Sequence, residues 1–200
     1  MMEKNRQCAA LFMPVVTLNI DILELTHAQF SQLRQLNDGF RMERTAQGEI
    51  VMWPPVDDPG RQSKDFFWNE LQLWNQTHSL GELCNAATLF RLPNGALRSP
   101  DMAWVEQSRW TALEQSGDGI LSIAPDFVIE VCAAPEELDL LQAKMQEYQE
   151  GQISLGWLVN FFNQQVEIYR TNHPKDVLSL PAMLSGESVL PGFVLTVMPR

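Results

Sequence analysis

The sequence contains no apolar run that approaches the ~20 residues a membrane-spanning helix needs. Its start, Met1–Cys8, is charged, and Pro14 interrupts the apolar stretch Ala9–Val16. No secretory leader is read there, and the expected compartment is the cytoplasm. Cysteine is scarce: Cys8, Cys84 and Cys132 are odd in number and far apart, which argues against a disulfide framework and a zinc cluster. Only His27, His78 and His173 are present, so a histidine-rich metal site is disfavoured as well. Basic residues are few, with 14 lysines and arginines against 25 aspartates and glutamates, a net charge of −11. A chain that coats nucleic acid without specificity normally carries the opposite sign. A nucleic-acid enzyme needs only a local basic strip, for which Arg61, Lys64, Arg91 and Arg98 are the candidates. Glycines sit singly in turns, with no Gly-x-Gly-x-x-Gly, Walker loop or Gly-x-Ser-x-Gly elbow, so a nucleotide-cradling enzyme is disfavoured.

What remains is a globular chain of 200 residues, 45% hydrophobic, long enough to bury a sizeable core. The expected organisation is an N-terminal arm or short strand over 1–21 and a single domain over 22–200. Thr26 predicts a capped helix over His27–Asn37, ended by Asn37-Asp38-Gly39. A hairpin follows, Phe40–Glu43 and Glu49–Trp53, and then a rigid loop at Pro54, Pro55 and Pro59. Phe67, Leu71 and Trp74 give the helix Gln62–Gln76 one apolar face. Strands are expected at Leu83–Arg91, Asp101–Val105, Pro125–Cys132, Leu155–Asn160, Gln165–Arg170, Val177–Leu180 and Val189–Val197, and a helix over Pro135–Gln149. The result is a mixed α/β (α+β) layout: one central mixed β-sheet flanked by helices.

The chemistry rests on carboxylates in strands. Asp101 opens a strand after Pro100, and Glu130 lies inside the most apolar strand, where alternation puts Asp126, Val128, Glu130 and Cys132 on one face. A buried carboxylate is costly to ionise unless a metal ion or a cation compensates it. Mg²⁺ suits a few such oxygens, with water and phosphate completing its shell.

Pro100-Asp101, followed by Glu130 after 28 intervening residues, resembles the P-D…(D/E)-x-K nuclease superfamily. The stretches Phe90–Val105 (Phe-Arg-Leu-Pro-Asn-Gly-Ala-Leu-Arg-Ser-Pro-Asp-Met-Ala-Trp-Val) and Ala124–Val131 (Ala-Pro-Asp-Phe-Val-Ile-Glu-Val) are similar to the Uma-two family of restriction-like endonucleases. So are Leu141–Tyr148 and Leu155–Val159, in family order, and the likeness spans roughly residues 22–195. The resemblance implies a restriction-endonuclease-like fold and a Mg²⁺-dependent (or Mn²⁺-dependent) DNA endonuclease that hydrolyses phosphodiester bonds. It implies Asp101, Glu130 and Val131 as metal ligands. The superfamily's strand lysine would fall at Cys132; Lys144 on the following helix matches the family's substitute and completes a catalytic set of Asp101, Glu130 and Lys144. Gln142 and Tyr148 on that helix, Arg98, and an acid on the early helix, Asp65 or Glu70, are accessory candidates. The expected partner is DNA, with no membrane association. The alternative is a nuclease fold that has lost cleavage and binds DNA or protein. A third option is a homodimer in which Arg98 and Lys144 satisfy the carboxylates.

Overall fold

The structure, a computed structural model, describes residues 15–20, 25–53, 60–113 and 119–200. Most of the expected arm, the Pro54–Pro59 loop and Ser116–Asp118 lie outside the described residues. The chain runs through β1 (Val16–Leu18), α1 (His27–Leu36), β2 (Arg41–Arg44), β3 (Ile50–Trp53), α2 (Arg61–His78), β4 (Gly81–Asn85), β5 (Leu89–Arg91), β6 (Leu97–Arg98), β7 (Met102–Glu106) and α3 (Gln107–Thr111). It continues through β8 (Ile120–Leu121), β9 (Phe127–Cys132), a 3₁₀ turn, α4 (Leu138–Glu150), β10 (Leu155–Asn160), β11 (Gln165–Arg170), β12 (Asp176–Ser179), β13 (Ala182–Ser185) and β14 (Val194–Val197).

The mixed sheet has the order β12-β11-β10-β9-β7-β4, with β9 and β10 parallel at its centre. A second six-stranded sheet, β1-β3-β2-β6-β5-β8, lies beside it, and β13 pairs with β14 as a separate ribbon. The sequence pointed to a single sheet because it read Leu83–Arg91 as one strand. A turn divides that run: the Asn85 side chain accepts the Ala87 N–H at 3.0 Å, and the Asn85 carbonyl accepts the Thr88 N–H at 2.9 Å. β4 and β5 therefore enter different sheets. The expected strand Val189–Val197 contracts to Val194–Val197, and its partner β13 has no counterpart in the sequence reading.

Every residue of β9 is buried, as its near-continuous apolar run requires of a central strand covered on both faces. Phe127, Ile129 and Val131 face one side and pack with Phe67, Leu71 and Trp74 of α2 and with the β13–β14 ribbon. Val128 and Cys132 face the other side and pack with Leu141, Met145 and Tyr148 of α4. Alternation therefore directs Glu130 toward α4. Because β9 and β10 are parallel, α4 is the crossover between them and runs back along the sheet. Its close seating depends on Gly156 in β10, where a Cβ would sit 2.6 Å from Met145 Cε. At the other end of the chain, Thr26 caps α1: its Oγ1 accepts the Gln29 N–H at 3.3 Å, and Gln29 Oε1 accepts the Thr26 N–H at 2.9 Å. Among the described residues no helix is long and apolar enough to cross a membrane.

Candidate active site

The return of α4 carries Lys144 back over β9. Its ammonium is fully buried and lies 2.7 Å from Glu130 Oε1, 2.8 Å from Glu43 Oε1 and 2.9 Å from the Ser99 carbonyl oxygen, to which it donates. Tyr148, one turn further along α4, donates its hydroxyl to Glu130 Oε1 at 3.2 Å. The second Glu130 oxygen, Oε2, is buried and has no hydrogen-bond partner among the described residues. Burial pushes the Glu130 carboxyl up to about 7. Lys144 pulls it down without restoring the ordinary value, and the nearby Asp101 charge pushes it up further.

Asp101 sits at the mouth of β7, held from three directions. Oδ1 is 3.0 Å from both Lys64 Nζ and Arg41 Nη1, and Oδ2 accepts the Val131 N–H at 2.9 Å. Burial alone would raise its pKa, but Lys64, Arg41 and Lys144 with the Val131 N–H hold it well below the usual carboxylate range. Asp101 is thus ionised at any working pH, whereas Glu130 stands near its titration point. Two neighbouring carboxylates with opposite shifts make this cluster the candidate site.

The third acid of the cluster is Glu43 of β2, which the sequence reading missed. Its Oε1 takes Lys144, its Oε2 accepts from Arg98 Nη1 at 3.1 Å, and Arg41 Nε is 3.8 Å away. Burial opposes ionisation, yet Lys144, Arg41 and Arg98 outweigh it and lower the Glu43 pKa. Arg98 in turn donates Nε to Glu147 Oε2 of α4 at 2.6 Å. Glu43 and Arg98 therefore join the second sheet to the helix that carries Lys144.

Arg98 is 2% exposed, so it cannot serve as the phosphate contact suggested by the sequence. It bridges Glu43 and Glu147, not Glu130. Replacing Arg98 with leucine would leave buried Glu147 without its guanidinium partner and Glu43 with only Lys144 and the more distant Arg41, and a loss of about 3–5 kcal/mol in denaturant unfolding is expected. A loss below about 1 kcal/mol would mean that Arg98 is not the tie between the sheet and α4.

Over residues 27–198 the sequence matches Uma2, the family described as "Putative restriction endonuclease". The chain belongs to the Uma2 family. Its fold is similar to that of the crystal structure of a putative nuclease belonging to DUF820 from Anabaena variabilis ATCC 29413, with a TM-score of 0.65 and 17% sequence identity, over 78% of this chain and 86% of that one. No curated protein matches the sequence. The restriction-endonuclease-like fold expected from the sequence is therefore shown.

The remaining candidates of this Uma2 chain divide clearly. Val131 buries its side chain in the core, so only its main chain faces the cluster. Gln142 is directed elsewhere: its Nε2 donates to Glu167 Oε1 at 2.6 Å, in a separate network with Tyr169 and Lys175. Asp65 is exposed and Glu70 half-buried, and neither has an ion pair with the cluster among the described residues. The early helix instead contributes Lys64, the residue before Asp65. Cys132 is buried, donates its thiol to the Ala134 carbonyl at 3.1 Å, and has its pKa pushed up to about 11 by burial, so it is no nucleophile.

Among the described residues no group of three or more His, Cys, Asp and Glu side chains is arranged to hold a metal ion. The donor set is a carboxylate pair, Asp101 and Glu130, and Glu130 Oε2 has no hydrogen-bond partner among the described residues. An orphaned buried carboxylate oxygen is costly, and a hard divalent cation that keeps most of its water is one way to satisfy it. The open Glu130 oxygen is the one group of the cluster that such an ion would satisfy, since Asp101 is already engaged by Arg41, Lys64 and the Val131 N–H.

Proposed function

We propose that the protein is an endonuclease that hydrolyses phosphodiester bonds in DNA and depends on Mg²⁺ or Mn²⁺. The observation that carries the proposal is the buried Lys144 ammonium 2.7 Å from Glu130, on the face from which the strand lysine is missing. Asp101 and Glu130 would hold the ion, with only the main chain of Val131 available beside them. A bound divalent cation supplies Lewis-acid activation of water and of the scissile phosphate.

The chain's own residues do the rest. Lys144 places a fixed positive charge in a dry site, where it is worth far more to a developing phosphate charge than in water. Tyr148 orients Glu130 through its hydroxyl. Arg41 and Lys64 are part-exposed at the edge of the cluster and supply cations for substrate phosphates. Membership of Uma2 supports a nuclease reading as well.

One observation favours a rival. Asp101 already accepts from Arg41, Lys64 and the Val131 N–H together. A carboxylate so saturated fits a nuclease fold that binds DNA or a protein without cutting. Calorimetric titration of Mn²⁺ separates the two. Wild type is expected to bind Mn²⁺, and Asp101→Asn and Glu130→Gln are expected to lose binding while still unfolding cooperatively. Wild type that takes up no Mn²⁺ or Mg²⁺ at neutral pH would sink the metal-dependent reading.

A further inference from the structure

The parallel strands β9 and β10 end side by side, with Cys132 in register with Asn160, two residues beyond Glu130. The chain then turns through residues 161–164. Asn160 Oδ1 accepts the N–H groups of Phe162 at 3.0 Å and Asn163 at 3.1 Å, which fixes the turn locally. Phe162 is 53% exposed and is the only phenylalanine, tyrosine or tryptophan in the exposed class among the described residues. Its neighbour Phe161 lies under the Arg200 guanidinium at 5.1 Å, with the Phe66 ring at 6.0 Å. Arg200 Nη1 donates to Ser63 Oγ at 2.9 Å, and its carbonyl accepts from Gln164. Ser63 immediately precedes Lys64, whose ammonium touches Asp101. Thus Arg200 links the Phe161–Gln164 turn to Ser63 beside Lys64, at the end of the sheet toward which β9 and β10 run. Lys64 and Arg41 also pair with Asp101, so the cations of this rim stand beside the carboxylates of the cluster.

We propose that this rim is a subsite for an unpaired nucleotide: Phe162 stacks on its base, and Arg200 and Lys64 pair with the flanking phosphates. The proposal rests on the nuclease reading and narrows its substrate to DNA with a single-stranded stretch at the cut. In a duplex each base is stacked on its neighbours, so a base reaches Phe162 only after unstacking, which costs energy that a single strand does not spend. Stacking on an aromatic ring tolerates any base, because each has a π-face. The cations are complementary to phosphate.

Fluorescence anisotropy with a labelled mixed-sequence single strand and its blunt duplex, both in EDTA, tests the inference without metal or turnover. Wild type should bind the single strand more tightly than the duplex. Phe162→Ala should weaken single-strand binding by about 5- to 150-fold, the range for loss of one stacked base, and leave duplex binding unchanged. Phe162→Trp should restore it. Arg200→Ala should lower the log–log salt slope on the single strand by about 0.7. Equal affinity of wild type for the two forms, no single-strand binding at all, or an unchanged Phe162→Ala would overturn the proposal. The two readings fail separately. A wild type that binds single strands through Phe162 but cuts nothing with metal sinks the nuclease reading alone. A wild type that cuts duplex and single strand equally, with Phe162→Ala unchanged, sinks this inference alone.

Discussion

Lys144→Met is expected to lose about 3–5 kcal/mol of stability and to slow cleavage by about two to three orders of magnitude. The stability loss follows from burial. Lys144 is fully enclosed and shares its ammonium between Glu43 and Glu130. Methionine fits the volume but leaves two buried carboxylates facing each other. Glu43 retains Arg98 and Arg41, whereas Glu130 loses its one ion-pair partner among the described residues. The double variant Lys144→Met/Glu130→Gln should therefore regain much of the stability and none of the activity. That split separates a structural ion pair from a group that acts on the phosphate. Urea unfolding of the three proteins reads the first effect, and cleavage at a temperature where all remain folded reads the second. A Lys144→Met variant as stable as wild type would mean that the ammonium is not enclosed by Glu43 and Glu130.

In the absence of divalent ions, stability should fall as pH rises from about 4.5 to about 7. The folded-state pKa of Glu130 is raised above its ordinary value of 4.5 to about 7. Between those values the native state binds the extra proton, so unfolding releases it and becomes easier as pH rises. At about 1.4 kcal/mol per unit the whole effect is on the order of a few kcal/mol. Asp101 and Glu43 act in the opposite sense and in a lower window. Their depressed pKa values add stability above the ordinary carboxylate range that is lost as pH falls through the folded values. Stability should thus peak near pH 5. Glu130→Gln should flatten the limb between 5 and 7; Glu137 is raised as well and leaves a residual slope. A divalent ion requires the ionised carboxylate, so metal affinity should climb as pH passes 7. Thermal melting across pH 4–8, with and without Mn²⁺, measures both trends. A wild-type limb as flat as that of Glu130→Gln would show that Glu130 carries no raised pKa.

Much of this site was legible in the sequence, and the rest fails for identifiable reasons. The apolar strand Phe127–Cys132 and the helix started by Pro135 fixed a strand–helix–strand unit, and that unit brings Lys144 back to Glu130. Thr26 and Gln29 announced the first helix through local capping chemistry. Glu43 was invisible because Arg41-Met42-Glu43-Arg44 reads as an ordinary half-exposed strand; its burial comes from long-range packing against Arg98 and Lys144. Gln142 could have been set aside from helical geometry alone, since two residues on a helix are about 200° apart and Lys144 already faces the sheet. The acid expected from the early helix, Asp65 or Glu70, gave way to Lys64, because the adjoining residue on the helix turns by about 100°. Separation of the two sheets rests on a side-chain turn at Asn85, which the surrounding strand-forming residues conceal.

In the proposed nuclease, Lys144 takes over the role of the strand lysine absent at Cys132. The most direct test is the single-turnover cleavage rate of partly single-stranded DNA in Mn²⁺ for wild type, Lys144→Met and Lys144→Met/Cys132→Lys. Cys132 shares the Glu130 face two residues along β9, so a lysine there restores an ammonium beside the carboxylates. Cleavage should fall by about two to three orders of magnitude in Lys144→Met and return in part in the double variant. Equal rates for wild type and Lys144→Met, with both proteins folded, would contradict the account.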